Sequence, residues 1–144
     1  MTDIERLLAI EEIKRVKAKY FHGVDHQDWE EWRRDVFTSD VSMMMPDAMK
    51  EPVVGFNAIL AWVKPLMKGA ISIHHGHMPD IEILSDTTAK GMWAMEDQIF
   101  WPDASATGRT YLHGWGHYHE TYERTPAGWR IKTCRLSRLR IETR

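Results

Sequence analysis

One cysteine, Cys134, occurs in 144 residues, so no intrachain disulfide can form and nothing calls for an oxidising compartment. Charge of one sign is lacking too. Nineteen Lys and Arg against 21 Asp and Glu leave a net charge of −2 and a pI near 6.4. Such a chain projects no strong field toward nucleic acid or anionic lipid, and neither is expected as a partner. The local cluster Arg135, Arg138, Arg140 and Arg144 reads as a solvated strand edge and tail. No stretch approaches the ~18 apolar residues of a membrane span. Asp3 and Glu5 stand where a secretory leader would carry lysines, and no long apolar run follows, so the expected location is the cytoplasm. Repeats, linkers and low-complexity segments are absent, and residues 1–144 are expected to form one domain.

Large adaptable side chains are plentiful: seven Trp and nine Met. They suit a core, and equally a pocket for a ring-shaped ligand. Thr2-Asp3-Ile4-Glu5 reads as a capping box that opens a helix. Apolar residues recur at helical spacing from Ile4 through Leu7, Leu8, Ile13, Val16, Tyr20 and Val24, with a slip near Ile10. Asp28 to Glu31 repeats the capping signature, so two helices are expected to meet near Asp25. Val41–Met45 and Pro52–Val54 are strand-like and separated by Pro46-Asp47. Phe56–Met67 is helical, with Asn57 as the expected cap and Pro65 near its end. Long strands follow over Ile71–Leu84, Thr88–Trp101, Arg109–Thr125 and Trp129–Arg140. Helices first and then a curved antiparallel sheet give an α+β fold: three helices closing one side of a cone, with an interior pocket.

Two runs carry the chemistry. Tyr20-Phe21-His22-Gly23-Val24-Asp25 ends the first helix, and Ile73-His74-His75-Gly76-His77 lies on a strand. A carboxylate at a helix C-terminus meets the negative end of the macrodipole, and burial beside Val24 and Trp29 adds to that; both raise its pKa. An imidazole partner would hold it there, and an imidazole so oriented is a natural base for a proton on carbon. Six of the eight histidines fall on strands. By alternation His74 faces opposite to His75 and His77 unless Gly76 marks a bulge, while His113, Trp115, His117 and His119 share a face. Asp97 is in phase with Trp93 and Met95, so it points inward if they do. Arg135 and Arg138 fall on opposite faces, so without a bulge at most one points inward.

Tyr20-x4-Asp25, His74-His75-Gly76-His77-Met78-Pro79-Asp80-Ile81, and Tyr118-His119-Glu120-x-Tyr122 leading to Gly128-Trp129-Arg130-Ile131 resemble the SnoaL-like branch of the NTF2-like superfamily over essentially the whole chain. Its members include scytalone dehydratase, bile acid 7α-dehydratase, hexachlorocyclohexane dehydrochlorinase, polyketide cyclases and ketosteroid isomerases. The resemblance implies that Asp25 pairs with His74, that Tyr20 and Asp97 join them, and that an arginine of the last strand completes the site. Arg135 is the first candidate for that arginine and Arg138 the second. Met43, Trp93 and Trp115, with Arg138, are the expected substrate contacts.

The reading that follows is a cofactor-independent lyase, a dehydratase before other reactions, acting on a hydrophobic ring compound. His74 would remove a proton from carbon, Asp25 would orient it, and Tyr20, an arginine and Asp97 would assist the departing hydroxyl. Isomerisation, cyclisation and a formaldehyde-releasing retro-aldol cleavage need the same parts. Two other readings remain: a metal site on His75-x-His77 or on His113 with His117-x-His119, and a non-catalytic subunit docking through Trp115, Tyr118 and Tyr122. No cofactor or metal belongs to the leading reading. A homo-trimer or dimer is expected.

Overall fold

A computed structural model describes residues 1–105 and 107–144. The chain runs α1 (Asp3–His26), α2 (Trp29–Val36), β1 (Phe37–Met44), β2 (Val53–Val54), α3 (Phe56–Met67), β3 (Ile71–Ile83), β4 (Thr88–Phe100), β5 (Tyr111–Thr125) and β6 (Gly128–Thr143). The six strands form one curved, unclosed sheet in the order β2-β1-β6-β5-β4-β3. Every neighbouring pair is antiparallel except β1 with β6, which run parallel. The helices close the concave side, so the α+β cone holds.

Helix α1 begins on the capping box of Thr2 and Glu5 and stops at Gln27, whose backbone is left-handed (φ 54°). It is continuous through Ile10. Its first apolar residues, Ile4, Leu7 and Leu8, face solvent, and the buried stripe runs from Ala9 through Ile13, Val16, Tyr20 and Val24. Asp28 caps α2 by accepting from the Glu31 N–H at 3.2 Å. At α3 the expected cap differs: Gly55 holds that position with no side-chain bond, and Asn57 lies inside the helix. Trp32 locks the turn between α1 and α2, donating its indole N–H to the Tyr20 carbonyl at 3.1 Å and packing on Tyr20, Phe37 and Phe56.

Strand β6 is out of regular alternation twice. Thr121 pairs with Thr133 but Tyr122 with Ile131, which leaves Lys132 as an extra residue; a second shift leaves Leu139 extra. The inward residues are therefore Trp129 and Ile131 before the first bulge, and Cys134, Leu136 and Arg138 after it. Lys132 is held outside by ion pairs to Asp40 and Glu123.

Beneath the helix lies a desolvated charge pair. Lys17 and Glu120 have fully buried side chains and are bonded to each other. The Lys17 ammonium also sits 3.5 Å from the centroid of the Tyr118 ring and 3.9 Å from that of Tyr20. Tyr122 donates to the second Glu120 oxygen and in turn accepts from the Trp93 indole at 2.9 Å. Burial pushes the Tyr122 phenol and the Cys134 thiol far above their ordinary values, and the Glu120 charge adds to both. Such a pair resists loss of one partner far more than loss of both. Glu120→Ala is expected to lower unfolding free energy by about 3 to 5 kcal/mol, and Lys17→Met with Glu120→Leu to recover most of it. Urea denaturation of the single and double variants measures both.

Candidate active site

The last turn of α1 delivers Asp25 to the start of β3. Its carboxylate accepts three hydrogen bonds there: from Ser72 Oγ at 2.8 Å, from the His74 backbone N–H at 3.0 Å, and from His74 Nδ1 at 2.6 Å. Burial alone would raise the Asp25 pKa, but the His74 ring, its N–H and Ser72 together hold the carboxyl below its ordinary value. The rise expected from the helix end and burial is thus reversed, because three donors outweigh both. A carboxylate can only accept, so Nδ1 carries the proton and the neutral ring keeps its lone pair on Nε2.

That Nε2 lies 3.8 Å from Asp97 Oδ2, and Asp97 is 2 % exposed. Arg138 grips Asp97 with both forks, Nη1 to Oδ1 at 2.7 Å and Nη2 to Oδ2 at 2.8 Å. Burial pulls the guanidinium's pKa down, while the bonds to Asp97 more than offset this and leave it raised. Asp97 sits on β4 and Arg138 on β6, with β5 between them. The guanidinium crosses that strand over Gly114, where an added Cβ would lie 1.7 Å from Nη1 and 2.6 Å from Asp97 Oδ1. A glycine is required there by close approach.

These groups wall one end of a cavity of about 440 Å³. Tyr20 and Tyr118 also line it, and burial raises both phenols well above their usual range, so each is a neutral O–H donor at ordinary pH. The remaining wall is largely apolar, with Met43, Trp62, Trp101 and Leu136 contributing.

The structure brings Tyr20, Asp25, His74, Asp97, Arg138 and Met43 together and leaves three expected residues out. Arg135 is exposed on the outer face. A strand continuing evenly from Trp129 and Ile131 would turn Arg135 inward; the extra Lys132 reverses the phase and turns Arg138 in instead. Trp93 faces inward but is spent on the Tyr122 bond, beyond the cavity lining. Trp115 is on the outer face, stacked on His113 at 3.8 Å, because the even-numbered residues of β5 point in. For the same reason Tyr118 and Tyr122 are buried and share no docking surface with Trp115. Sequence reasoning missed Gly114, Tyr118 as a wall, and Arg109, which also lines the cavity. The alternation Gly114-Trp115-Gly116 was the available signal, since small residues on one strand face admit a long side chain from a neighbour.

His75, His77 and His113 gather outside around Glu96, at 3.6, 3.6 and 3.3 Å from its oxygens. The hydrogen bond from His113 lowers the Glu96 pKa most; burial opposes it, and the bond from His75 with the nearby imidazole charges leaves the net shift downward. His119 reaches Ser137 at 3.2 Å. Among the described residues, no group of three or more His, Cys, Asp or Glu is arranged to hold a metal ion. Among the described residues, no helix is long and apolar enough to cross a membrane.

The pattern of the SnoaL-like domain family matches residues 5–135, and the chain belongs to that family. Several solved structures share the same fold. A provisionally assigned scytalone dehydratase from Novosphingobium aromaticivorans is 17% identical, with 99% of this chain and 92% of that one covered at a TM-score of 0.87. Hexachlorocyclohexane dehydrochlorinase LinA-type3 from Novosphingobium barchaimii is 15% identical, covering 99% and 94% at 0.82. An NTF2-like superfamily protein from Salmonella enterica is 16% identical, covering 92% of each chain at 0.77.

Two outcomes test this geometry. Gly114→Ala is expected to drive Arg138 off Asp97 at a cost of about 1 to 3 kcal/mol, measured by urea denaturation, with the displaced guanidinium visible in a crystal structure of the variant. The second concerns pH. A depressed carboxyl adds stability above its unfolded pKa and loses it as pH falls through the folded value. Asp25→Asn is therefore expected to be less stable at neutral pH, with the difference from the parent shrinking as pH falls below the ordinary carboxylate value near roughly 4 and vanishing only once acid protonates the depressed Asp25 carboxyl. Thermal melts across that range measure it.

Proposed function

We propose that the protein is a cofactor-independent lyase, a dehydratase by preference, acting on a hydrophobic ring-containing substrate. One observation carries this reading: an imidazole fixed by a carboxylate on Nδ1, with its free Nε2 turned toward a buried Asp97–Arg138 pair inside a largely apolar cavity.

In this reaction Nε2 of His74 takes a proton from a substrate carbon, and the electrons of the C–H bond form the new double bond. Asp25 holds the ring and stabilises the imidazolium that forms. The hydroxyl on the adjacent carbon departs with its bonding electrons and leaves as water, taking a proton from the neutral phenol of Tyr20. Arg138, steadied by Asp97, supplies positive charge for oxygen that becomes negative on the way. Asp97 thus acts through Arg138, a narrower part than proton donor. The imidazolium returns its proton to the phenolate, directly or through the water released. Isomerisation, cyclisation and retro-aldol cleavage would use the same base. Two donors beside it, Tyr20 and Arg138, favour loss of a hydroxyl.

His74→Ala and Asp25→Asn are each expected to reduce turnover by about 10²- to 10⁴-fold while the fold persists by circular dichroism. The assay follows the conjugated product of ring-containing β-hydroxy carbonyl compounds by ultraviolet absorbance. Near-parental turnover in both variants with a true substrate would end the proposal.

A further inference from the structure

Two charged side chains of the cavity lining, Asp47 and Arg109, have no ion-pair partner among the described residues. Asp25 is held by His74 and Ser72, and Arg138 by Asp97. Asp47 stands on the rim, and its charge falls on Arg138. Arg109 also lines the cavity and is only half-buried, yet among the described residues no carboxylate comes within ion-pair distance of its guanidinium.

Its backbone is fixed on both sides. The Thr107 hydroxyl donates to the Arg109 carbonyl at 3.0 Å and accepts from its N–H at 3.4 Å. Gly108, at φ +73°, lets the chain turn back and donate to Ala104 at 2.8 Å. Trp101 pins the start of the segment by donating its indole N–H to the Leu66 carbonyl at 2.7 Å, and Thr110 pins the end on the Arg144 carbonyl at 2.8 Å.

The cavity is graded in depth. Asp97 and Tyr118 are almost wholly buried, while Asp47 and Ala48 are exposed, and Arg109 is half-buried between these extremes. A planar fork of donors on a rim that also carries Asp47 matches the two oxygens of a carboxylate.

Resting on the lyase reading of this cavity, we propose that its substrate is an anionic ring compound. The apolar ring lies between the tryptophan walls with its reacting carbon at His74, and a carboxylate at the far end of the molecule is held by Arg109 at the mouth. Neutral ring compounds of the same shape forgo that contact.

Two dyes of one skeleton test this without any catalysis. Anilinonaphthalene sulfonate carries an oxyanion that stands in for the carboxylate; N-phenylnaphthylamine lacks it. Arg109→Gln is expected to weaken the sulfonated dye about tenfold and to leave the neutral dye within about twofold, which also reports an intact cavity. Added salt should weaken only the sulfonated dye, and only in the parent protein. Equal effects on both dyes, or none on either, would overturn the assignment. The anion preference is read from dye binding alone and the elimination from turnover alone, so a failed anion preference leaves the elimination chemistry standing, and the reverse also holds.

Discussion

Three hydrogen bonds converge on the carboxylate of Asp25, and through them the end of α1 is fastened to the start of β3. The attachment joins the helix layer to the outermost strand of the sheet, which encloses the space between them. Two penalties oppose a charge in that place: partial desolvation, and the negative end of the helix dipole. Three donors overcome both. The same contacts that close the cone choose the tautomer of His74, so closure of the fold and preparation of the base are one event.

Buried charge elsewhere follows the same rule of complete partnering. Arg138 and Asp97 satisfy each other through two parallel bonds, and Lys17 and Glu120 are enclosed by aromatic rings and a phenol. The first pair lines the largely apolar cavity, while the second is sealed in the core outside its lining. Within such a space an imidazole meets little competing water, and electrostatic contacts act at closer to full strength. The outward histidines meet a different environment. His75 and His77 are exposed around Glu96, so alternation along β3 divides one histidine-rich run between two kinds of chemistry.

Period and punctuation in the sequence carried most of the architecture: the capping box at Thr2, the cap at Asp28, the break at Pro46 and the alternation of β4 and β5 all lie where the structure has them. Asp25 with His74 was legible because a helix end and a strand start are local features, and a family resemblance supplied their pairing. Arg138 was harder to see. Its direction depends on a single extra residue, Lys132, and a bulge leaves no mark in apolar alternation when both phases offer an arginine. Trp93 and Trp115 were misassigned for related reasons: parity tells which residues share a face, but neither which face of β5 turns inward nor how far along the inner face of β4 the cavity extends. Gly114 is invisible to any argument along one strand, since its role is to leave room for a side chain that crosses from another.

The extra residue in β6 makes that strand a counter whose parity selects the chemistry. Lys132 is clamped on the convex side by acidic groups of both flanking strands, Asp40 on β1 and Glu123 on β5, so the miscount is anchored from either side. Were the strand to run evenly, Arg135 would enter the interior in place of Arg138, and the hollow would still receive one guanidinium from β6. That guanidinium would enter three residues nearer the start of β6, roughly 10 Å along the strand, too far back to clasp Asp97 across Gly114. A surface lysine some distance from any reacting atom thereby decides which of two equivalent cations the interior receives.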